Sequence, residues 1–342
     1  MSKKILITGG AGFIASNFVH FWKTKYPNDT LIILDNLTYA GNLSNIKNLI
    51  ESSKINFQKG DISDKKIVKF IIDKFSINHV INFAAESHVD RSIADPHKFI
   101  ETNIVGTFVL LDAFKDYWIL NGSSENWRFI QISTDEVFGT LKPEDNSFEE
   151  TTAYSPRSPY SASKAASDHL AMSWFHTYGL PVIISNCSNN FGPYQFPEKL
   201  IPKTIINCIL KKKIPVYGNG LNIRDWLYVD DHISALEKII TNGSPGLKYC
   251  IGGENEINNL KLVELICNTF DNLFFTNTSL KSKELIEFVT DRPGHDFRYS
   301  INSSLIKREL KWEQEINLEE GIKKTIQWYF DNKEWWETLI EK

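Results

Sequence analysis

The chain has 342 residues, 42% hydrophobic and 13% aromatic, with 38 basic against 42 acidic side chains and a net charge of −4. That apolar content excludes a disordered acidic chain, and the charge balance excludes the basic footprint of a nucleic-acid binder. At roughly 150 residues per domain, the length points to two domains or one large fold with an appended lobe.

The first half alternates short apolar runs with longer amphipathic stretches. The runs are Lys4-Ile-Leu-Ile-Thr8, Leu31-Ile-Ile-Leu-Asp35, Lys54-Ile-Asn-Phe57, His79-Val-Ile-Asn-Phe83, Trp127-Arg-Phe-Ile-Gln-Ile-Ser133 and Pro181-Val-Ile-Ile-Ser185. Unbroken β-branched runs read as strands buried on both faces. Helical patterns lie between them near 12–25, 63–75, 96–120 and 159–178. This alternation predicts an α/β fold with a doubly wound parallel sheet of the Rossmann type. After about residue 187 the rhythm changes. Asn189-Asn-Phe-Gly-Pro-Tyr-Gln-Phe-Pro197 reads as a long ordered loop, and a Trp-rich helical tail is predicted around 317–340. We expect 1–187, with segments near 224–250, to form the nucleotide domain. A smaller lobe from 188–342, mostly 188–223 and 251–342, should cover the carboxyl ends of the strands.

Cys187, Cys208, Cys250 and Cys267 are scattered with no CxxC pair, so neither a disulfide framework nor a zinc site is expected, and a reducing cytoplasm fits. The N-terminus enters a strand pattern without the apolar core of a signal peptide. No apolar run approaches the roughly 18–20 residues that span a bilayer, so no membrane partner is expected.

Thr8-Gly-Gly-Ala-Gly-Phe-Ile-Ala15 directly follows the first strand and opens a helix. Gly10-x-Gly12-x-x-Ala15 matches the dinucleotide fingerprint, in which small residues let a pyrophosphate approach the backbone and the helix N-terminus attracts it. Asp35 ends the next strand, where a carboxylate accepts from a ribose 2′-hydroxyl and repels a 2′-phosphate, selecting NAD over NADP. Asp61-Ile62 and Phe83-Ala-Ala85, after the third and fourth strands, are placed to flank the adenine and ribose.

Tyr160-Ser-Ala-Ser-Lys164 opens a helix, and its spacing puts both side chains on one face. An ammonium beside a phenol favours the phenolate. The phenol must fall several units from about 10 to act as a base near neutrality. Two carboxylates, Asp135 and Glu136, follow Thr134 at the end of a buried strand, a costly place for charge without a role.

With these residues the sequence resembles the extended short-chain dehydrogenase/reductase family. Ser133-Thr-Asp-Glu-Val-Phe-Gly139 narrows the likeness to its nucleotide-sugar 4,6-dehydratases. The likeness covers essentially the whole chain, including Ala84-Ala-Glu-Ser-His-Val-Asp-Arg-Ser92, Asn186-Cys-Ser-Asn-Asn190, Gly192-Pro-Tyr-Gln-Phe-Pro-Glu-Lys-Leu-Ile-Pro202, Arg224-Asp-Trp-Leu-Tyr-Val-Asp230 and Asp291-Arg-Pro-Gly-His295. It implies dehydration of a nucleotide-activated glucose to a 4-keto-6-deoxy sugar, as in deoxysugar biosynthesis. Tyr160, Lys164 and Thr134 would oxidise C4 with NAD, Glu136 would remove H5, and Asp135 would protonate the departing O6. One of the two carboxyls must be ionised and the other protonated.

The resemblance extends the cofactor site to Gly9, Gly12, Phe13, Ile14, Asn36, Leu37, Thr38, Ser87, Thr102 and Asn190. For the sugar phosphate it implies Ser87, Asn189, Glu198, Lys199 and Leu200. Pro215 and Tyr217 would hold the base, with Asn259 and the stretch Asp291 to His295 closing over the nucleotide. Arg224 is the best pyrophosphate clamp, its alternative being an ion pair with Asp225 or Asp230. His88 and His295 have no ligand-spaced partner, so no metal is expected. By resemblance the helices near 96–120 and 159–178 pair as a four-helix bundle in a homodimer, using Phe108, Leu110, Leu111, Phe114, Leu170, Met172 and Trp174. Departures are small: Ala15 replaces a common Gly, Phe138 a common Tyr, and the 140–152 loop is short and acidic. A 4-epimerase would share Tyr160, Lys164 and NAD but not require Asp135-Glu136. A non-catalytic NAD-binding protein would require none of the reacting groups. The choice among dTDP, UDP, CDP and GDP stays open.

Overall fold

The computed structural model describes residues 2–274, 281–291 and 294–340. A seven-stranded parallel sheet carries the fold. Its strands are β1 (Lys4–Thr8), β2 (Thr30–Asp35), β3 (Asn56–Lys59), β4 (His79–Asn82), β5 (Arg128–Thr134) and β6 (Val182–Cys187). A later strand from the second half joins them at one edge. Strand side chains alternate between two cores. Ile5, Ile7, Ile33, Ile81, Ile130 and Ile183 pack on one face with helices Phe13–Lys25 and Val229–Asn242. Leu6, Ile32, Val80, Phe129 and Val182 pack on the other with helices Lys65–Phe75 and Thr107–Leu120. Burial on both faces is why the runs lack polar alternation.

Strand β3 departs from the expectation. It starts two residues later than the apolar run and is partly exposed, because it forms the open edge of the sheet. The stretch predicted as one helix over 96–120 is helical, but Ile100–Gly106 is a π-turn between His97–Phe99 and Thr107–Leu120.

The second half adds β7 (Asn189–Phe191), β8 (Ile214–Tyr217), β9 (Ile223–Tyr228), β10 (Lys248–Ile251), β11 (Glu256–Asn258) and β12 (Ile286–Val289). The large sheet runs β10-β6-β5-β4-β1-β2-β3, with a three-stranded sheet β11-β9-β7 and a pair β12-β8 beside it. Residues 189–191, expected in a loop, are thus a strand beside β9. Helices Leu200–Leu210, Asn259–Phe274 and Leu318–Asp331 enclose a third core that includes Trp336. Ile306, Leu310 and Trp312, expected in the smaller lobe, pack on the core of the large sheet instead.

One expectation about association also changes. Leu110, Leu111 and Phe114 are fully buried in the chain's own core, because helix Thr107–Leu120 covers the sheet with that face. The exposed apolar side chains of this region are Ile100, Phe108, Ile119, Leu120 and Tyr178. Among the described residues no helix is long and apolar enough to cross a membrane.

Candidate active site

The chain order of strands reverses beside β1: β2 and β3 lie on one side, β4 and β5 on the other. At such a switch point the carboxyl ends open into a crevice. Here they open into a cavity of about 350 Å³. Its wall holds Gly9, Gly12, Phe13, Ile14, Asp35, Asn36, Thr38, Asp61, Ile62, Phe83, Ala84, Ala85, Ser87, Thr102, Tyr160, Lys164 and Asn190. Of the residues expected at a cofactor, Leu37 alone lies outside the wall. Its side chain packs on the core, while its N–H donates to Asp35 Oδ1 at 2.7 Å.

The glycine turn fits a dinucleotide for physical reasons. Gly9 has φ +65, and a Cβ there would stand 2.8 Å from Ala84 Cα, so both conformation and close approach require glycine. Gly12 caps helix Phe13–Lys25 without a side-chain hydrogen bond, and the first turn carries no acid. The helix therefore presents open N–H groups and the positive end of its dipole to an anion. Asp35 is 7% exposed; it accepts from Ala11 N at 2.9 Å through Oδ2, which fixes its carboxylate at the cavity wall. Asn36 Nδ2 donates to Asp61 Oδ2 at 2.7 Å and ties two of the lining loops together. Among the described residues, buried polar atoms on the same wall have no hydrogen-bond partner: Asp135 Oδ2, Asn189 Oδ1 and Glu198 Oε1. A polar ligand supplies what such atoms need.

The reacting groups sit in the same cavity. Thr134 ends β5 and caps the 3-10 turn Asp135–Phe138, accepting from Glu136 N at 3.3 Å and donating to Asp135 Oδ1 at 3.2 Å. Asp135 is 1% exposed; burial, then the charges of Glu136 and Asp225, push its carboxyl well above the usual range. Tyr160 and Lys164 come from helix Pro159–Tyr178, which a Ser158 capping box and Pro159 start at a defined residue. Lys164 Nζ donates to the Ile132 carbonyl at 2.6 Å, which aims the side chain across the strand ends. Burial lowers its proton affinity and Asp168 raises it.

The phenol departs from expectation. Burial first, then Glu136, Cys187 and Asp135, hold the proton on Tyr160 well above the usual range. The chain's own surroundings therefore oppose ionisation, and positive charge in the cleft is needed to reverse them.

Of the residues expected at the substrate, Ser87, Thr134, Asn189, Glu198 and Lys199 line the cavity. Leu200 starts helix Leu200–Leu210 directly after it. Pro215 and Tyr217 lie on β8, Tyr217 being 44% exposed. Asp291 packs against Gly218 and meets His295 Nδ1 at 2.7 Å. Asn259 N donates to Asn222 O at 3.0 Å. Arg292 and Pro293, within the expected closing stretch, lie outside the described residues. Arg224 is 5% exposed; its guanidinium donates to the carbonyls of Ile223, Asp296 and Phe297 at 2.7, 3.0 and 3.3 Å and lies 4.3 Å from the Tyr299 ring centre.

Other residues of the site had no motif. Asn103, in the π-turn, accepts from Glu86 N at 2.9 Å and donates to Glu86 O and Ser163 Oγ at 3.0 and 2.8 Å. π-Turns often mark functional positions. Arg91 lies 3.7 Å over the Tyr39 ring and 3.4 Å from Glu198. Asp168 sits four residues after Lys164, a spacing that carries a signal for a shared helix face.

The family described as GDP-mannose 4,6 dehydratase matches residues 6–325. A dTDP-glucose 4,6-dehydratase of Salmonella typhimurium is 51% identical over 342 residues, covering 97% of this chain and 94% of that protein. The dTDP-glucose 4,6-dehydratase of Bacillus anthracis, solved in complex with NAD, superposes with a TM-score of 0.88 at 43% identity, over 99% of this chain and 100% of that one. DesIV, the dTDP-glucose 4,6-dehydratase of Streptomyces venezuelae solved with NAD and a second ligand bound, gives 0.90 at 38% identity, over 98% and 99%.

Proposed function

From the premise that this chain belongs to the GDP-mannose 4,6-dehydratase family, we propose that it uses NAD to dehydrate dTDP-glucose to the 4-keto-6-deoxy sugar. The observation that carries this reading is the meeting of Thr134, Asp135, Glu136, Tyr160 and Lys164 in one cavity with the glycine turn and Asp35.

The hard step is loss of water across C5–C6, because H5 is not acidic in the hexose. A ketone at C4 makes it so. NAD, when bound, takes the C4 hydride and returns it at C6, and its cationic ring supplies the positive charge that Tyr160 lacks. Lys164 favours the phenolate of Tyr160, which accepts the O4 proton and becomes the neutral phenol, and Thr134 donates to O4. Glu136 takes H5. Asp135 gives its proton to the departing O6, and its environment, which keeps it protonated, suits that role. The adjacent pair thus divides into base and acid.

We also propose the binding assignments. Gly9, Gly12, Phe13, Ile14, Asp35 to Thr38, Asp61, Ile62, Phe83 to Ala85, Ser87, Thr102 and Asn190 hold NAD. Asn189, Glu198, Lys199, Leu200, Arg224, Pro215, Tyr217, Asn259, Asp291 and His295 hold the nucleotide sugar. The NAD domain comprises residues 1–187 with segments near 224–250 and the stretch 306–312 that packs on the large sheet, and the remainder forms the substrate lobe. The protein works in the cytoplasm as a homodimer, with Phe108, Ile119, Leu120 and Tyr178 at the two-fold contact. Their exposure supports that surface.

The test is to assay the glucose conjugates of dTDP, UDP, CDP and GDP side by side. Formation of the keto sugar, read by its alkaline ultraviolet absorbance, is expected with the dTDP sugar. A C4 epimer as the sole product would refute the reading.

A further inference from the structure

The mechanism leaves unused a fully enclosed carboxyl group on the helix that carries Tyr160 and Lys164. Asp168 is 1% exposed and lies four residues after Lys164 on the same helix. Its Oδ2 accepts from Ser133 Oγ at 2.6 Å, from Tyr154 OH at 2.9 Å and from Asn186 Nδ2 at 3.5 Å. Its Oδ1 is buried and without a hydrogen-bond partner. Ser133 immediately precedes Thr134, and Asn186 also donates to the Thr134 carbonyl at 3.1 Å. Asp168 therefore binds the end of β5, the end of β6 and the loop at Tyr154 to the helix that carries Tyr160 and Lys164.

Burial raises the Asp168 carboxyl, while the charge of Lys164 and then the three donors converging on one oxygen favour its ionised form. A buried carboxylate needs a counter-charge. Lys164, buried one helical turn away, needs one equally, and its Nζ donates to a neutral carbonyl. We propose that Asp168 is a positioning residue of the active site: the buried counter-ion of Lys164, which aligns that ammonium beside Tyr160. This rests on the reading of Tyr160 and Lys164 given above.

The neighbours that bear on Lys164 are few. On its own helix they are Tyr160 and Asp168, and from β6 Cys187. Asp135 and Glu136 act on Tyr160 from the 3-10 turn. Behind Asp168 lie Tyr154, with Lys248 of β10 4.7 Å from its ring centre, the His169 ring tilted against it at 5.2 Å, and Cys250. Among these Asp168 is the strongest influence that keeps Lys164 charged against burial. Removing that charge lowers the pH at which Lys164 loses its proton.

The experiment follows acylation of Lys164 by a small anhydride as a function of pH, read by mass spectrometry of its peptide in the folded holoenzyme. It needs no turnover, so its outcome is independent of the dehydratase reading, which the product assay tests by itself. In Asp168→Asn the labelling midpoint should fall by about one pH unit or more, since two opposite buried charges one turn apart interact by at least that much. An unchanged midpoint overturns the proposal, because a merely structural role would alter melting and leave the titration of Lys164 in place. If Asp168→Asn does not fold, the reciprocal variant Lys164→Met decides. With the ammonium gone, the Asp168 carboxyl should keep its proton to a pH higher by about one unit or more, read by difference infrared titration of the buried carboxyls in the folded holoenzyme. An unchanged carboxyl titration in that variant overturns the proposal equally.

Discussion

The carboxylate of Glu136 is, after burial, the strongest influence holding the proton on Tyr160. The two proposed bases are thus coupled: the carboxylate assigned to H5 makes the phenol assigned to O4 harder to ionise. Glu136→Gln removes that charge with little change of shape. The variant should still oxidise C4, and bound reduced cofactor should accumulate, seen by its near-ultraviolet absorbance on adding substrate. Elimination should slow by about 10²–10⁴, the usual size of a general-base contribution. Tyr160→Phe should show neither signal. Wild-type exchange of H5 with deuterated water in Glu136→Gln would rule Glu136 out as the base.

Asp35 is the proposed selector of the nucleotide. Its Oδ1 and Oδ2 accept from Leu37 N and Ala11 N at 2.7 and 2.9 Å, so the carboxylate is fixed at the cavity wall. Cofactor released from the wild type by denaturation and identified by chromatography should be NAD. Asp35→Asn should retain less NAD and tolerate a 2′-phosphate better, since the repelling charge is gone. Copurification of NADP with the wild type would contradict the assignment.

The proposed dimer would form through the exposed apolar strip. Leu120 is 83% exposed and Ile119 51%, an arrangement that is costly unless covered. Light scattering of the wild type at micromolar concentration should give about twice the chain mass. Ile119→Glu with Leu120→Glu should give the 39.3 kDa monomer. A wild-type monomer sinks the dimer proposal.

Acid should destabilise the fold through His232. It is fully buried, its Nδ1 donates to Asn190 Oδ1 at 2.9 Å, and burial lowers its pKa from 6.5 to about 3. A depressed folded pKa means that the unfolded chain binds the proton first. The stabilisation is present above pH 6.5 and is lost progressively as pH falls toward about 3. Between pH 7 and 5 this one site removes about 2 kcal/mol. Asp225, raised to about 6, acts in the opposite sense over part of that window, so the comparison must be with a variant. Urea unfolding of His232→Gln should show about 2 kcal/mol less loss between those pH values than the wild type. Equal pH dependence in the two proteins would show that His232 does not bear it.

The local signals that the sequence carried were those with a short physical range. The glycine turn after β1, Asp35 at the end of β2, and Tyr160 with Lys164 on one helix face were legible because each motif lies within one strand-turn-helix unit. The strands were legible because burial on both faces removes polar alternation. Tertiary structure alone decided what depends on distant partners. The edge position of β3 exposes it, and pairing of β9 with β7 turned an expected loop into a strand. Packing on the sheet withdrew Leu110, Leu111 and Phe114 from any interface. The proton affinity of Tyr160 belongs to the same class. An adjacent lysine argues for a low value, yet burial and the carboxyls of Glu136 and Asp135, brought in from another element, set it high. Spacing along the chain reports neighbours on one element. Desolvation and charge sum over every group that folding gathers around a site, and that sum exists only once the chain is folded.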